Sequence, residues 1–143
     1  MILEHKDDPK AFREAVRAWV HETSPPERAH EWHISKGPEL VDIQRWWLAE
    51  RHKVGLAIPN WPAEYGGAGL GLDHMIIITD EFARARSPGN EMFVISMNHV
   101  PGTLIPHGSE AQKKRYLPGV PAGDLWCQGF SEPGAGSDLA SLK

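Results

Sequence analysis

The sequence predicts an all-α domain that ends in one short strand, and three observations support this fold class. Apolar residues recur at helical spacing in several segments, and loops rich in proline and glycine separate those segments. One strand-like apolar run then follows near the end of the chain. With 143 residues the chain suits a single domain. We therefore expect five helices followed by a strand.

The first predicted helix begins at Asp8 and Pro9, which suit an N-cap and a first-turn position. The residues on its apolar face recur at i, i+4, i+7 and i+8, and they are Phe12, Val16, Trp19 and Val20. The second predicted helix begins at Pro38 and ends at Gly55. Its apolar face consists of Leu40, Ile43, Trp47 and Val54. Packing of Trp19 and Trp47 in the core is the default expectation for aromatic residues on such faces.

Three more helices are predicted before the strand. Asp73 is suited to cap the third, which Ser87 and Pro88 would stop. The fourth is expected over residues 89–100 and is followed by a broken segment as far as residue 108. Ser109 and Gln112 form a capping-box pattern for the fifth.

The strand is predicted at residues 125–130, and a glycine-rich turn over residues 133–138 follows it. Glycine allows positive φ and lets the backbone approach a ligand closely. Successive N–H groups in such a turn can bind an anion, and Ser131 and Ser137 add hydroxyl groups. From the residues alone, a plain turn is the commoner meaning of this pattern. It is neither a Walker loop nor a dinucleotide fingerprint.

Composition excludes several classes of function. The net charge of −4 argues against nucleic acid as the main partner. No apolar run approaches the roughly 20 residues of a membrane span, and the first residues lack a signal core. The single cysteine, Cys127, cannot form an internal disulfide, and we expect it to be a buried, unreactive thiol. Together these features predict a cytoplasmic protein with no membrane or nucleic-acid partner.

A metal site is not expected. His30 and His33 are spaced for one helix face, but no third ligand is evident, so a solvated pair is the preferred interpretation. The glycine-rich loop at residues 65–71 lacks a lysine and is interpreted as a turn between helices.

Four segments resemble one enzyme family in their order along the chain. Residues 128–138, QGFSEPGAGSD, resemble the flavin-binding signature of acyl-CoA dehydrogenases. Upstream, AIPNWPAEYGG at residues 57–67, DEFARA at 80–85 and HGSEAQKKRYLP at 107–118 are similar to the same family. The resemblance covers residues 38–143. It points to bacterial members, including actinobacterial ones that degrade fatty acids and sterols.

The resemblance implies a helical N-terminal domain over residues 1–122 and the truncated start of an FAD-binding β domain over residues 123–143. Such enzymes use FAD to oxidise an acyl-CoA thioester to a trans-2-enoyl-CoA, and they pass the electrons to an electron-transfer flavoprotein. They act as homo- or hetero-oligomers. In most members the catalytic base is a glutamate of a final helical bundle that has no counterpart here, so no catalytic residue is assigned.

The resemblance also implies roles for individual residues. Those expected at the flavin are Gln128, Phe130, Ser131, Gly136 and Ser137. Those expected at the acyl-CoA are Ser137, Ile95, Ser96 and His99. Gln128 stands where many members have an aromatic residue, so stacking on the flavin is not expected, and its amide is able to hydrogen-bond the ring instead. The simpler alternatives are that Phe130 packs, Ser131 caps a turn and His99 is a core or rim residue.

Two functions remain open from the sequence. In the first, the chain is the N-terminal part of an FAD-dependent acyl-CoA dehydrogenase and is inactive alone. In the second, it is a non-catalytic helical module that binds partner subunits. Oxidases and flavin monooxygenases share the family's fold, and the chain does not distinguish them from dehydrogenases.

Overall fold

The computed structural model describes the backbone of residues 1–143 and all side chains except that of Leu139. The described chain contains six α-helices: α1 Pro9–Thr23, α2 Ala29–Ile34, α3 Gly37–Lys53, α4 Leu72–Arg84, α5 Val100–His107 and α6 Glu110–Tyr116. Short 3-10 turns connect several of them, and a π-helical turn over Ile95–His99 precedes α5. The predicted all-α fold class is confirmed. No described helix combines the length and the apolar character that crossing a membrane requires.

Helix α1 begins as the sequence predicts. The Asp8 carboxylate accepts hydrogen bonds from the backbone N–H groups of Lys10 and Ala11 at 3.0 and 3.1 Å. These bonds satisfy two donors that the first turn would otherwise leave unpaired. The apolar face of α1 packs against α4 and the following loop, and its fully buried members are Phe12, Val16 and Val20.

A charged cluster joins α1 to α4 beside this apolar contact. Arg17 binds both carboxylate oxygens of Glu81, at 2.8 and 3.0 Å, and Arg13 donates to the same carboxylate at 2.7 Å and also pairs with Asp80. The Glu81 side chain is only 1 % exposed. The hydrogen bonds from Arg17 hold the pKa of Glu81 below its ordinary value. The cluster therefore supplies the partners that a buried carboxylate requires.

An aromatic cluster fixes α3 against the α1–α4 pair. Trp47 is buried, and its ring stacks on Trp19 at a centroid distance of 5.2 Å. Phe82 of α4 meets Trp47 edge-on, also at 5.2 Å. The expected packing of both tryptophans is therefore confirmed.

Three helical predictions require correction. Helix α4 begins at Leu72 with Gly71 as its N-cap and no side-chain cap, so the predicted capping by Asp73 is wrong. The helix predicted over residues 89–100 is a 3-10 turn at Glu91–Phe93 followed by the π-helical turn. The segment expected to be broken forms α5, because Pro101 falls in its first turn, where a proline is tolerated.

The predicted strand at residues 125–130 is absent from the described backbone. The described part of the chain contains a single isolated bridge, between Glu132 and Ala135. A strand requires a neighbouring strand to complete its ladder of hydrogen bonds, and none of the described residues forms one beside this segment. Cys127 is consequently exposed, which corrects its predicted burial.

The loop between α3 and α4 closes on itself. The N–H groups of Gly69 and Leu70 donate to the carbonyls of Trp61 and Pro59, both at 2.9 Å. A Cβ atom on Gly67 would lie 2.0 Å from the Trp61 carbonyl oxygen. Only glycine therefore fits at position 67 without a shift of the backbone.

Candidate functional site

The terminal segment is attached to the π-helical turn by a buried hydroxyl group. Ser96 is fully buried, and its Oγ accepts a hydrogen bond from the backbone N–H of Trp126 at 3.0 Å. π-Helical turns are uncommon and occur often at functional sites. The bond places the beginning of the terminal segment directly against the turn that carries Ile95, Ser96 and His99.

A second contact joins the same two parts of the chain at the surface. The amide nitrogen of Gln128 lies 2.7 Å from Nδ1 of His99. With the amide in this orientation, its N–H group donates and Nδ1 of His99 accepts. A residue predicted at the flavin and one predicted at the acyl chain therefore touch.

The side chain of Trp126 holds the start of the terminal segment in place. Its ring meets Tyr116 edge-on at 5.4 Å and packs on the apolar cluster beneath α5 and α6. The buried members of that cluster are Ile58, Trp61, Val100, Leu117 and Val120. Residues beyond Trp126 extend from this anchor over the surface.

The turn after the segment has a simple hydrogen-bonded geometry. Glu132 and Ala135 exchange two backbone hydrogen bonds at 2.9 and 3.1 Å, and the Glu132 carboxylate accepts from the N–H of Lys143 at 3.2 Å. Neither Gly134 nor Gly136 adopts a positive φ, so the predicted use of that freedom is wrong here. A Cβ on Gly136 would meet open space. The backbone at this position is thus accessible from outside.

The terminal segment exposes an aromatic ring, two hydroxyl groups and a run of backbone donors. Phe130 is 66 % exposed, and the hydroxyl groups of Ser131 and Ser137 are also at the surface. Among the described residues, the N–H groups of residues 127–131 have no hydrogen-bond partner. A planar ring system with carbonyl groups matches an exposed aromatic ring beside a run of free donors.

The structure brings together some predicted site residues and leaves others apart. Ser96, His99 and Gln128 form one contacting group. Ile95 is half-buried on the same π-helical turn. Ser131, Gly136 and Ser137 lie farther along the exposed terminal segment. Clusters of three or more metal-binding side chains are absent from the described residues.

Sequence reasoning missed Arg51, which faces a cavity of about 580 Å³ between α3, α4 and the loop that joins them. Arg51 is only 9 % exposed, and its Nε has no hydrogen-bond partner among the residues that the structure describes. A signal existed, because Gln44, Trp47, Leu48 and Arg51 follow the spacing of a buried helix face. The sequence therefore places a charged arginine on a buried helix face.

Comparisons with known proteins point in one direction. A family model described as "Acyl-CoA dehydrogenase, N-terminal domain" matches residues 6–124. The chain is 37 % identical to acyl-CoA dehydrogenase IpdE1 of Mycobacterium tuberculosis, over 94 % of the chain and 36 % of that protein.

Solved structures agree with the sequence comparison. The "Tcur3481-Tcur3483 steroid ACAD" superposes with a TM-score of 0.70 at 32 % identity, over 94 % of this chain and 34 % of the other. The ChsE4-ChsE5 complex of Mycobacterium tuberculosis gives 0.68 at 35 % identity, over 94 % and 33 %. The chain therefore spans about a third of the length of the proteins that it matches.

Proposed function

This chain belongs to the acyl-CoA dehydrogenase family, and we propose that it supplies the helical wall and part of the flavin-binding surface of an FAD-dependent enzyme. The resemblance seen in the four sequence segments is confirmed at the level of the family. Because the chain spans about a third of its relatives, the activity, substrate and partners of a whole enzyme are part of this proposal.

The contact between Gln128 and His99 carries the proposal. The family resemblance assigns these residues to the flavin and the acyl chain respectively, and they are 29 positions apart in sequence. Their distance of 2.7 Å, together with the bond from Trp126 to Ser96, supports one shared binding surface. In such a surface, Ser96 positions the backbone and does not touch the ligand.

The residues that would hold FAD are those with free groups at the surface. The N–H groups of residues 127–131 would donate to the ring, and the hydroxyl groups of Ser131 and Ser137 would add hydrogen bonds. Gly136 leaves the backbone accessible to the cofactor. Bound FAD would accept the hydride that leaves the β-carbon of the acyl-CoA thioester. The base that removes the α-proton would come from another segment or polypeptide.

Substrate and partners follow from the same proposal. The substrate is an acyl-CoA, and one structural neighbour is called a steroid ACAD, which favours a bulky acyl group. Another neighbour is a complex of two named proteins, which favours a hetero-oligomer. Electrons would pass to an electron-transfer flavoprotein, and the enzyme would act in the cytoplasm.

Titration of the purified chain with FAD, followed by flavin fluorescence, tests the proposal. We expect saturable binding that the paired substitutions Ser131→Ala and Ser137→Ala weaken by about tenfold. Ser141→Ala is the matched control, since its hydroxyl donates to the Asp138 carbonyl of its own turn. Equal affinity in the double variant would exclude the two hydroxyl groups from the site.

A non-catalytic helical module that binds partner subunits is the second candidate. It is favoured by the four apolar core clusters, whose buried members all lie within residues 2–120. Such a core does not depend on the terminal segment. A natively folded chain that fails to bind FAD would support this candidate and would show that these residues alone do not form a flavin site.

A further inference from the structure

Arg51 is a buried cation without an acidic partner among the described residues. Its guanidinium lies over the Trp47 ring at 5.8 Å, and the side chain faces the cavity between α3 and α4. Of the described side chains, no aspartate or glutamate lines this cavity, and Nε is dry and unpaired. Five other arginines each form an ion pair with a carboxylate: Arg13, Arg17, Arg28, Arg45 and Arg84.

Such an arrangement is unfavourable unless something else compensates the charge. A buried ion without a partner loses its hydration and gains little in return. Burial lowers the pKa of Arg51 to about 10, so the group is still a cation at neutral pH. The charge is therefore present, largely buried and located in the wall of a space that a ligand can occupy.

The residues that line the cavity limit the kinds of ligand that it can bind. Leu56, Ile58 and Phe82 contribute apolar surface, whereas His33 and Arg86 add further nitrogen-bearing side chains. The volume of about 580 Å³ lies within the range of small-molecule sites. Both apolar and polar side chains line the space, and Arg51 is a lining cation whose buried Nε has no partner among the described residues. A monoanion on an apolar skeleton can pair with that guanidinium while its skeleton contacts the apolar walls.

The end of α4 forms part of the rim of this cavity. Arg86 has a φ of 51°, an uncommon value for a residue other than glycine. Its carbonyl accepts a hydrogen bond from the indole N–H of Trp32 at 2.6 Å, which holds it in place. The N–H groups of Arg86 and Ser87 donate to the carbonyls of Ala83 and Phe82 at 3.0 and 3.1 Å, so Arg86 is the left-handed cap that ends α4.

We propose that this cavity binds the carboxylate of a small apolar molecule, with the Arg51 guanidinium as its main partner. Arginine matches a carboxylate through two parallel hydrogen bonds, and the Trp47 ring lies 5.8 Å from the guanidinium carbon. The site needs neither flavin nor a thioester, so it stands independently of the function proposed above.

The test uses octanoate and its uncharged analogue octanamide, titrated into the whole chain. Trp47 and Trp61 both line the cavity, so tryptophan fluorescence reports binding. We expect octanoate to bind about tenfold more tightly than octanamide, and Arg51→Met to remove this preference. Arg115→Met, at an exposed position outside the cavity, is the matched control and should preserve it.

A structural role for Arg51 would give a different pattern. We expect Arg51→Met to raise the Tm of the ligand-free chain, because it removes an unpaired buried charge. An arginine retained only for packing would instead lower the Tm when replaced. Arg51→Lys keeps the charge and loses the fork, so it should bind octanoate with intermediate affinity even if the methionine variant folds poorly.

Three results would overturn the proposal. The first is octanoate binding to the natively folded chain no more tightly than octanamide. The second is octanoate affinity that stays the same after Arg51→Met and Arg51→Lys. The third is binding of a short peptide with a glutamate side chain where octanoate does not bind. In that last case the carboxylate belongs to another polypeptide, and the small-molecule site is excluded.

Discussion

The buried hydroxyl of Ser96 accepts the backbone N–H of Trp126 at 3.0 Å, across 30 positions of sequence. This bond is the buried one of two polar links between the π-helical turn and the terminal segment. It fixes the position at which the terminal segment begins, although no described strand lies beside that segment.

Ser96→Ala should lower the free energy of unfolding by about 1 to 3 kcal/mol, because it leaves the Trp126 N–H without its buried acceptor. Chemical denaturation measures the loss, and hydrogen exchange at Trp126 should become faster. Ser137→Ala removes an exposed hydroxyl and should change neither quantity. Unchanged exchange in the Ser96 variant would show that the ring of Trp126 alone holds the segment.

Glu81→Gln should destabilise the α1–α4 contact by about 1 to 3 kcal/mol. This is less than the loss for a fully buried ion pair, because the side chains of Arg13 and Arg17 are partly exposed. Urea titration measures the change. Glu22→Gln, at an exposed position, is the control and should have little effect.

The pH dependence of stability should change with the same substitution. The folded-state pKa of Glu81 is lowered, chiefly by its hydrogen bonds with Arg17, so its contribution is fully present above the ordinary value of 4.5. It is lost as the pH falls below that value towards the folded-state pKa. Unfolding free energies from about pH 6 to about pH 3 should therefore fall less steeply in Glu81→Gln. Parallel curves would assign the acid sensitivity to other carboxylates.

Ser109→Ala should cost about 0.5 to 2 kcal/mol, because it removes the hydroxyl group that accepts the Gln112 N–H, one of the two bonds of the capping box. The Ser109 hydroxyl accepts from Gln112 N at 3.3 Å, and the Gln112 side chain accepts from Ser109 N at 2.8 Å. Thermal unfolding checks the loss. Ser109→Asp retains an acceptor and should recover most of it, whereas no recovery would point to an effect other than capping.

Gly67→Ala should be strongly destabilising, by more than about 4 kcal/mol, because its Cβ would lie 2.0 Å from the Trp61 carbonyl oxygen. Gly71→Ala is the matched control, since its Cβ would meet no atom within 4 Å and its φ is −79°. Soluble yield and Tm of the two variants provide the comparison. A Gly67 variant as stable as the Gly71 variant would mean that the loop can rearrange.

Local signals predicted part of this fold. The Asp8 cap and the Ser109–Gln112 box were readable because both sides of each interaction lie within three residues. The absence of the predicted strand could not be foreseen, because a strand depends on a neighbouring strand that local sequence does not reveal. The π-helical turn was also unpredicted, because its hydrogen-bond register is not encoded in apolar spacing.

The candidate site, too, was predicted only in part from the sequence. Resemblance placed Ser96, His99 and Gln128 near ligands, but only the three-dimensional contacts bring them to one surface. Arg51 was not predicted as a site residue, because a charged residue within a helix is usually exposed to solvent. Its lack of a partner among the described residues is a property of the surrounding side chains and not of its own segment.

The sequence separation between Arg17 and Glu81 also affects the order of events during synthesis of the chain. The two residues are 64 positions apart, so α1 leaves the ribosome well before its partner on α4 is synthesised. At 5 to 20 residues per second, that interval is about 3 to 13 s. During it the apolar face of Phe12, Val16 and Val20 lacks the side chains of α4 against which it packs. The nascent chain is therefore a natural client for a chaperone during those seconds.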